Sequence, residues 1–323
     1  MFGMRRREFI TLLGGAASAW SANARAQQEH ERVRRIGMLA TLAVDDPESV
    51  TRHTAFQEKL QELGWGVGHN LRIDTRWGAR DAAGIRKNAA ELVALAPDVI
   101  VATGSPSVGA LQQATSTIPI VFVSVVDPVG AGFVASLARP AGNTTGFTPH
   151  EYGMSAKWLE LLKEIAPRVT RAAVLRDPAS PAGIGLLAAM QGVAPSLGVE
   201  LWPVGVRDVG EIERAVAAFA RESNGGLIVT STGLTIVHRG LISALPARHK
   251  LPAVYFQCIF VTSGGLISYG DTSIDSYRRA AGYVDRILRG EKPADLPVQA
   301  PTNREVTRPR RAAVARRPRR RGD

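Results

Sequence analysis

Two hydrophobic rhythms alternate along the body of this chain. Short unbroken apolar runs, which suit strands buried on both faces, take turns with longer stretches carrying an apolar residue every third or fourth position, which suit helices. Residues 33–40, apolar apart from Arg34 and Arg35, predict the first strand. Residues 49–63 follow the second rhythm, with Phe56, Leu60 and Leu63 at helix spacing and Gly64 as the stop. Residues 71–77 predict a second strand, and 82–96 a helix with Ile85, Ala89, Leu92 and Val93 on one face. A strand over 98–104, a helix over 107–115 and a strand over 118–126 complete the set.

The same succession begins again about 136 residues later. Strands are predicted at 171–177, 199–206, 226–231 and 252–256, with helices at 183–196, 211–222 and 237–249. A glycine-flanked run at 264–270 then leads into an amphipathic helix at 274–288, whose buried stripe holds Tyr283, Ile287 and Leu288. Strand–helix alternation with nearly continuous apolar strands means parallel sheets covered on both faces. The fold class is therefore α/β: two doubly wound parallel-sheet lobes. Lobe 1 takes residues 33–145 and 273–291, and lobe 2 takes 146–272. The join at 143–148, rich in Thr, Asn and Gly, reads as a hinge segment. A cleft between such lobes lies at the strand carboxyl ends, where α/β sheets bind ligands.

Charge sharpens the domain picture. The formal net charge is +11, but residues 1–26 carry +3 and residues 304–323 carry +7, so the body from 27 to 303 carries only +1. With no basic run in that body, nucleic acid is not an expected partner. Residues 1–26 read as a twin-arginine-type signal peptide: Arg5, Arg6 and Arg7 precede Phe9 and Ile10, an apolar run follows, and Ala24 and Ala26 occupy the −3 and −1 positions of a cleavage site. The run is shorter than the ~20 apolar residues needed to span a bilayer, and no cysteine follows it for a lipid. The expectation is a soluble protein exported to a bacterial periplasm, with no lipid anchor. Residues 304–323, with nine Arg and two Pro, are expected to be disordered. Cys258 is the only cysteine, so no disulfide within the chain is possible.

Catalytic signatures are scarce. No metal-ligand spacing, phosphate loop or nucleophile elbow occurs, so the chain reads as no enzyme, with no metal and no cofactor. The predicted strand ends carry hydroxyls and a few carboxylates instead. Thr103, Ser105 and Ser107 surround a Gly–helix junction where free backbone N–H groups and hydroxyls suit a carboxylate. The hydroxyls of Ser105 or Ser107 could equally cap the helix. Ser124 and Asp127 end the neighbouring strand. In lobe 2 the equivalent ends are Asp177, Ser180 and Ser231, with Asp177 a partner for an ammonium group or an Asp-Pro turn starter. Apart from Arg176 these ends hold no arginine, which favours a zwitterion or neutral polar ligand over a dianion.

Several segments together resemble a known family. RREFI at 6–10, PDVIVATG at 97–104, DPVGAG at 127–132, GNTTGF at 142–147, KWLELLK at 157–163 and TSGGLISYG at 262–270 are similar to ABC-transporter substrate-binding proteins related to the tryptophan/tyrosine uptake group. The resemblance covers about residues 1–302. It implies a type I periplasmic-binding-protein fold, a small ligand held between lobes, and a membrane permease with an ATPase as partners. The resemblance does not fix the ligand; the hydroxyl-rich, arginine-poor strand ends point to an amino acid, bound by hinge closure. A monomer is expected. The pattern of the family is lost after Thr302, which implies that a strand and a final helix are missing there and that an apolar edge of lobe 2 is uncovered. Two other classes share this architecture: a two-lobed enzyme of glycosyltransferase-like build, and a ligand-sensing module. The signal sequence and the missing acid/base pair count against the first, and the lack of a transducing segment against the second.

Overall fold

Each apolar run that is buried on both faces became a central strand, and the strands assemble into two sheets. The computed structural model describes residues 32–78, 82–178, 181–205, 207–271, 273–301 and 304–309. The signal segment 1–26 therefore lies outside the described residues. In the first lobe the strands are β1 Arg34–Leu39, β2 Leu71–Arg76, β3 Val99–Thr103, β4 Ile120–Val123 and β5 Thr144–Phe147, all parallel, in the order β2-β1-β3-β4-β5. The second lobe repeats this with β6 Arg171–Arg176, β7 Glu200–Gly205, β8 Gly225–Val229, β9 Ala253–Tyr255 and β10 Ile267–Gly270, in the order β7-β6-β8-β9-β10. Strand order thus reverses at β1/β3 in one lobe and at β6/β8 in the other, and such switch points open a crevice beyond the strand carboxyl ends.

Helices cover both faces of the first sheet: α1 Pro47–Glu62, α2 Ala82–Ala94 and α3 Ser105–Ala114. The second is covered by α4 Gly153–Ile165, α5 Pro181–Val193, α6 Val209–Phe219, α7 Gly233–Val237, α8 Arg239–Arg248 and α9 Cys258–Thr262. Helix α10, Ser273–Leu288, leaves the end of β10 but packs in the first lobe, where Tyr277, Ala281, Val284 and Leu288 join Ile36, Phe56 and Val99 in one core. The chain crosses between lobes three times, after β5, after β10 and before the final strand β11, Glu305–Thr307.

Three local expectations are corrected. The segment read as a hinge is β5, buried along its whole length. Its small polar residues have partners: Thr145 Oγ1 donates to Leu296 O at 2.6 Å, and Gln112 Nε2 donates to Thr144 Oγ1 at 2.9 Å. Gly146 is required there, since a Cβ would stand 2.1 Å from Phe122 O. The tail is the second correction. Residues 305–307 are not disordered but pair antiparallel with β10, and this strand covers the edge expected to be bare. Backbone ladder bonds need no apolar side chains, so composition hid the strand. Third, a short helix, α7, stands at 233–237 where none was expected, directly before α8, which forms over most of the expected 237–249 span.

Candidate functional site

At the lobe 1 switch point the loops after β1, β2 and β3 converge. Gly104, with φ of 76°, turns the chain into α3, so Ser105 is the first helical residue. No side chain caps that helix, which sets aside the capping role for Ser105 and Ser107. Thr41 Oγ1 donates to Thr103 O at 2.9 Å, and the Thr103 hydroxyl lies 2.7 Å from the Tyr277 hydroxyl, a buried contact. Thr41, Arg52, His53, Trp77, Thr103 and Tyr277 line a pocket at these ends. The rings of His53 and Trp77 lie 5.2 Å apart, and the Arg52 guanidinium stands 5.8 Å from the Tyr277 ring centre. Burial lowers the pKa of His53, so its ring is neutral over a wider pH range.

Of the residues expected to bind ligand, Thr103 alone lines this pocket. Ser107 is buried in the first turn of α3, while Ser105 and Ser124 are half-buried. Ser124 and Asp127 both take left-handed backbone conformations, with φ of 60° and 50°. Parallel pairing of Thr103 with Val123 puts their loop beside that of Ser105. Asp127 already has partners: Oδ1 accepts from the Gly130 N–H at 2.8 Å, and Oδ2 accepts from the Tyr152 hydroxyl. Tyr152 stands at the start of α4, so this hydrogen bond joins the lobes. Burial is the first cause of the raised Tyr152 pKa, ahead of the hydrogen bond to the Asp127 carboxylate.

In lobe 2, Asp177 follows β6 and is half-buried. Thr230 Oγ1 donates to Leu175 O at 2.7 Å, tying the end of β8 to β6 and leaving Ser231 half-buried at the next position. Ser180 lies outside the described residues. Thr232 and Thr235 form a capping box that starts α7. Helix α8 follows, and its first residue Arg239 reaches back to lobe 1: Nη2 lies 2.6 Å from Asp46 Oδ2.

Two titratable groups sit near the crossings. His150 is buried against Trp158 and Phe256, and burial, with the Arg304 charge adding to it, pushes its pKa down to about 3. Asp271 follows β10. Burial raises its carboxyl to about 6, opposed by the hydrogen bond from Ser276 and the charge of Arg52. Among the described residues no cluster of His, Cys, Asp and Glu could hold a metal ion, and no helix is long and apolar enough to cross a membrane.

Two like lobes facing each other across strand carboxyl ends, tied by polar bridges, are the build of a cleft-binding protein. The profile described as ABC transporter substrate binding protein matches residues 39–307. The chain belongs to this family. This substrate-binding protein is 24% identical over 300 residues to the tyrosine-binding protein of Clostridioides difficile strain R20291, covering 92% of this chain and 86% of the relative. Its fold matches an ABC domain from Streptococcus pneumonia in complex with L-Trp, with a TM-score of 0.77 at 23% identity over 84% of this chain and 90% of that one. A ligand-free, open substrate-binding protein with adhesive properties from Clostridium difficile matches with a TM-score of 0.64 at 25% identity, over 85% and 91% of the two chains. The fold is that of type I periplasmic binding proteins, and the substrate-binding protein is a component of an ABC transporter.

Sequence reasoning missed Thr41, Trp77, Tyr152, Arg239 and Tyr277. Trp77 was the last residue of a predicted strand and so carried a usable signal. Tyr152 and Arg239 had none, because each acts through a partner in the other lobe.

Proposed function

We propose that this protein works in the periplasm as the binding component of an ABC importer, closing its lobes around a single amino acid and presenting it to a membrane permease with its ATPase. The observation that carries the reading is a pair of polar bridges, Tyr152–Asp127 and Arg239–Asp46, which join the two lobes through loops beyond the strand carboxyl ends, where each sheet has its switch point. Bridges of this kind form only when the lobes are together, as hinge closure requires. Among the ligand-facing candidates, Thr103, Ser105, Ser124, Ser231 and Asp177 supply hydrogen-bonding groups, and the Trp77–His53–Tyr277 wall offers a surface for an aromatic side chain.

The names of the relatives, tyrosine-binding and bound to L-Trp, support an aromatic amino acid as the ligand. The twin-arginine pattern supports export, and a monomer is the form we propose to meet the permease. Native mass spectrometry of the protein purified from its own periplasm tests the reading. A retained mass equal to an amino acid is the expected result. Turnover of a nucleotide sugar by the purified protein would instead place it with two-lobed enzymes.

A further inference from the structure

The lobe 2 switch point holds a guanidinium with two buried nitrogens that have no hydrogen-bond partner among the described residues. Arg176 is the last residue of β6, and its Nε and Nη1 are buried with no hydrogen-bond partner among the described residues. A guanidinium does not deprotonate in a protein, so it cannot escape burial by losing its charge. Arg171, at the other end of the same strand, shows the contrast. Its Nη1 also makes no well-aligned hydrogen bond, but it has an anion beside it, Glu222 Oε2 at 2.7 Å, and its guanidinium stacks over Phe219 at 4.7 Å.

Register shows where Arg176 faces. Gly226 pairs with Ala172, and a Cβ on Gly226 would stand 2.8 Å from the Leu162 side chain of α4. By alternation Ala172, Val174 and Arg176 share that face. The helix above them begins at Tyr152, whose hydroxyl closes onto Asp127 of lobe 1. Across the sheet, the pairing of Leu175 with Val229 brings Thr230 level with Arg176. The Arg176 guanidinium therefore stands at the strand end where order reverses, under the segment that meets the other lobe.

We propose that Arg176 is the anchor for the carboxylate of the ligand. The proposal rests on the amino-acid reading and orients the ligand: its carboxylate goes to lobe 2, and its side chain to the Trp77–Tyr277 pocket of lobe 1. A single guanidinium matches one carboxylate, and a dicarboxylate would leave its second charge unpaired.

The test compares L-tryptophan with tryptamine, which lacks the carboxylate, on the wild-type chain and on Arg176→Gln and Arg176→Lys, with calorimetry for affinity and thermal melting of the unliganded proteins. Wild type should bind L-tryptophan at least tenfold more tightly than tryptamine. Arg176→Gln should bind the two within about threefold of each other, at the weaker level, and Arg176→Lys should fall between. The unliganded Arg176→Gln protein should melt no lower than wild type, since Nε and Nη1 of the group it removes are buried with no hydrogen-bond partner among the described residues. Wild-type affinity for L-tryptophan in Arg176→Gln, or an undiminished preference over tryptamine, would overturn the proposal. If wild type bound no amino acid at all, the ligand reading would fail separately. A fall in the unliganded melting temperature of Arg176→Gln would then still show that the guanidinium has a structural partner, and would overturn the anchor role by itself.

Discussion

Arg239 Nη2 lies 2.6 Å from Asp46 Oδ2, with about one sixth of each side chain exposed, and the two residues belong to opposite lobes. Asp46 also caps α1 by accepting from the Glu48 N–H at 2.9 Å, so the start of that helix and the closure of the cleft share one carboxylate. An ion pair made only when the lobes are together favours the closed state, and any ligand that needs closure gains the same free energy. Arg239→Gln, which spares the cap, should weaken ligand affinity by about 1.5–3 kcal/mol, tenfold to a hundredfold. Asp46→Asn should cost a similar amount, and the double variant should lose little more than either single one. Calorimetry on the four proteins measures this coupling, and additive losses would show that the two side chains act independently.

Tyr152 and Asp127 form the second bridge. Tyr152→Phe removes one hydrogen bond to a charged acceptor and should weaken binding by about 1.5–3 kcal/mol. It should leave the melting temperature of the unliganded protein within about 2 °C of wild type, since an open molecule does not make this contact. Small-angle scattering of Tyr152→Phe without ligand should report a population at least as open as wild type.

Asp271 and His150 give the protein opposed pH dependences. The carboxyl of Asp271 is raised from 3.8 to about 6, so its contribution to stability is complete below pH 3.8 and is lost as pH rises through 6. His150 is lowered from 6.5 to about 3, so its contribution is present above pH 6.5 and is lost as pH falls toward 3. Asp271→Asn, which keeps an acceptor for Ser276, should therefore melt several degrees higher than wild type at pH 7.5 and equally at pH 4. His150→Leu should narrow the loss of stability between pH 6 and pH 4. Melting curves across that range check both signs.

β11 makes a prediction about the carboxyl-terminal region. Truncation after Asn303 strips the antiparallel partner from β10 and should lower the melting temperature by a few degrees relative to truncation after Pro309, with more aggregation from the bared edge. Identical melting of the two truncated proteins would show that β11 adds nothing to lobe 2.

The strands and helices were legible because their hydrophobic periods are strong: Val99, Ile100, Val101 and Ala102 are all buried, and Phe56 and Leu60 face the core as their spacing predicts. The segment 144–147 was misread because Thr and Gly seldom fill a buried strand, and the partners that satisfy them, Gln112 and Leu296, are remote in sequence. Periodicity and turn chemistry placed Thr103, Ser105 and Ser124 at strand ends, since both are local signals. Arg239 and Tyr152 were invisible for the opposite reason. Their roles depend on a second lobe meeting them, and no local pattern encodes that distance.

The central claim is that an amino acid is held between the lobes. Calorimetry of the protein, from Gln27 onward, against L-tyrosine and L-tryptophan, with phosphate and dicarboxylates as controls, tests it most directly. The account predicts saturable binding of one amino acid per chain and none of the dianions. Saturable binding of the dianions alone would contradict it.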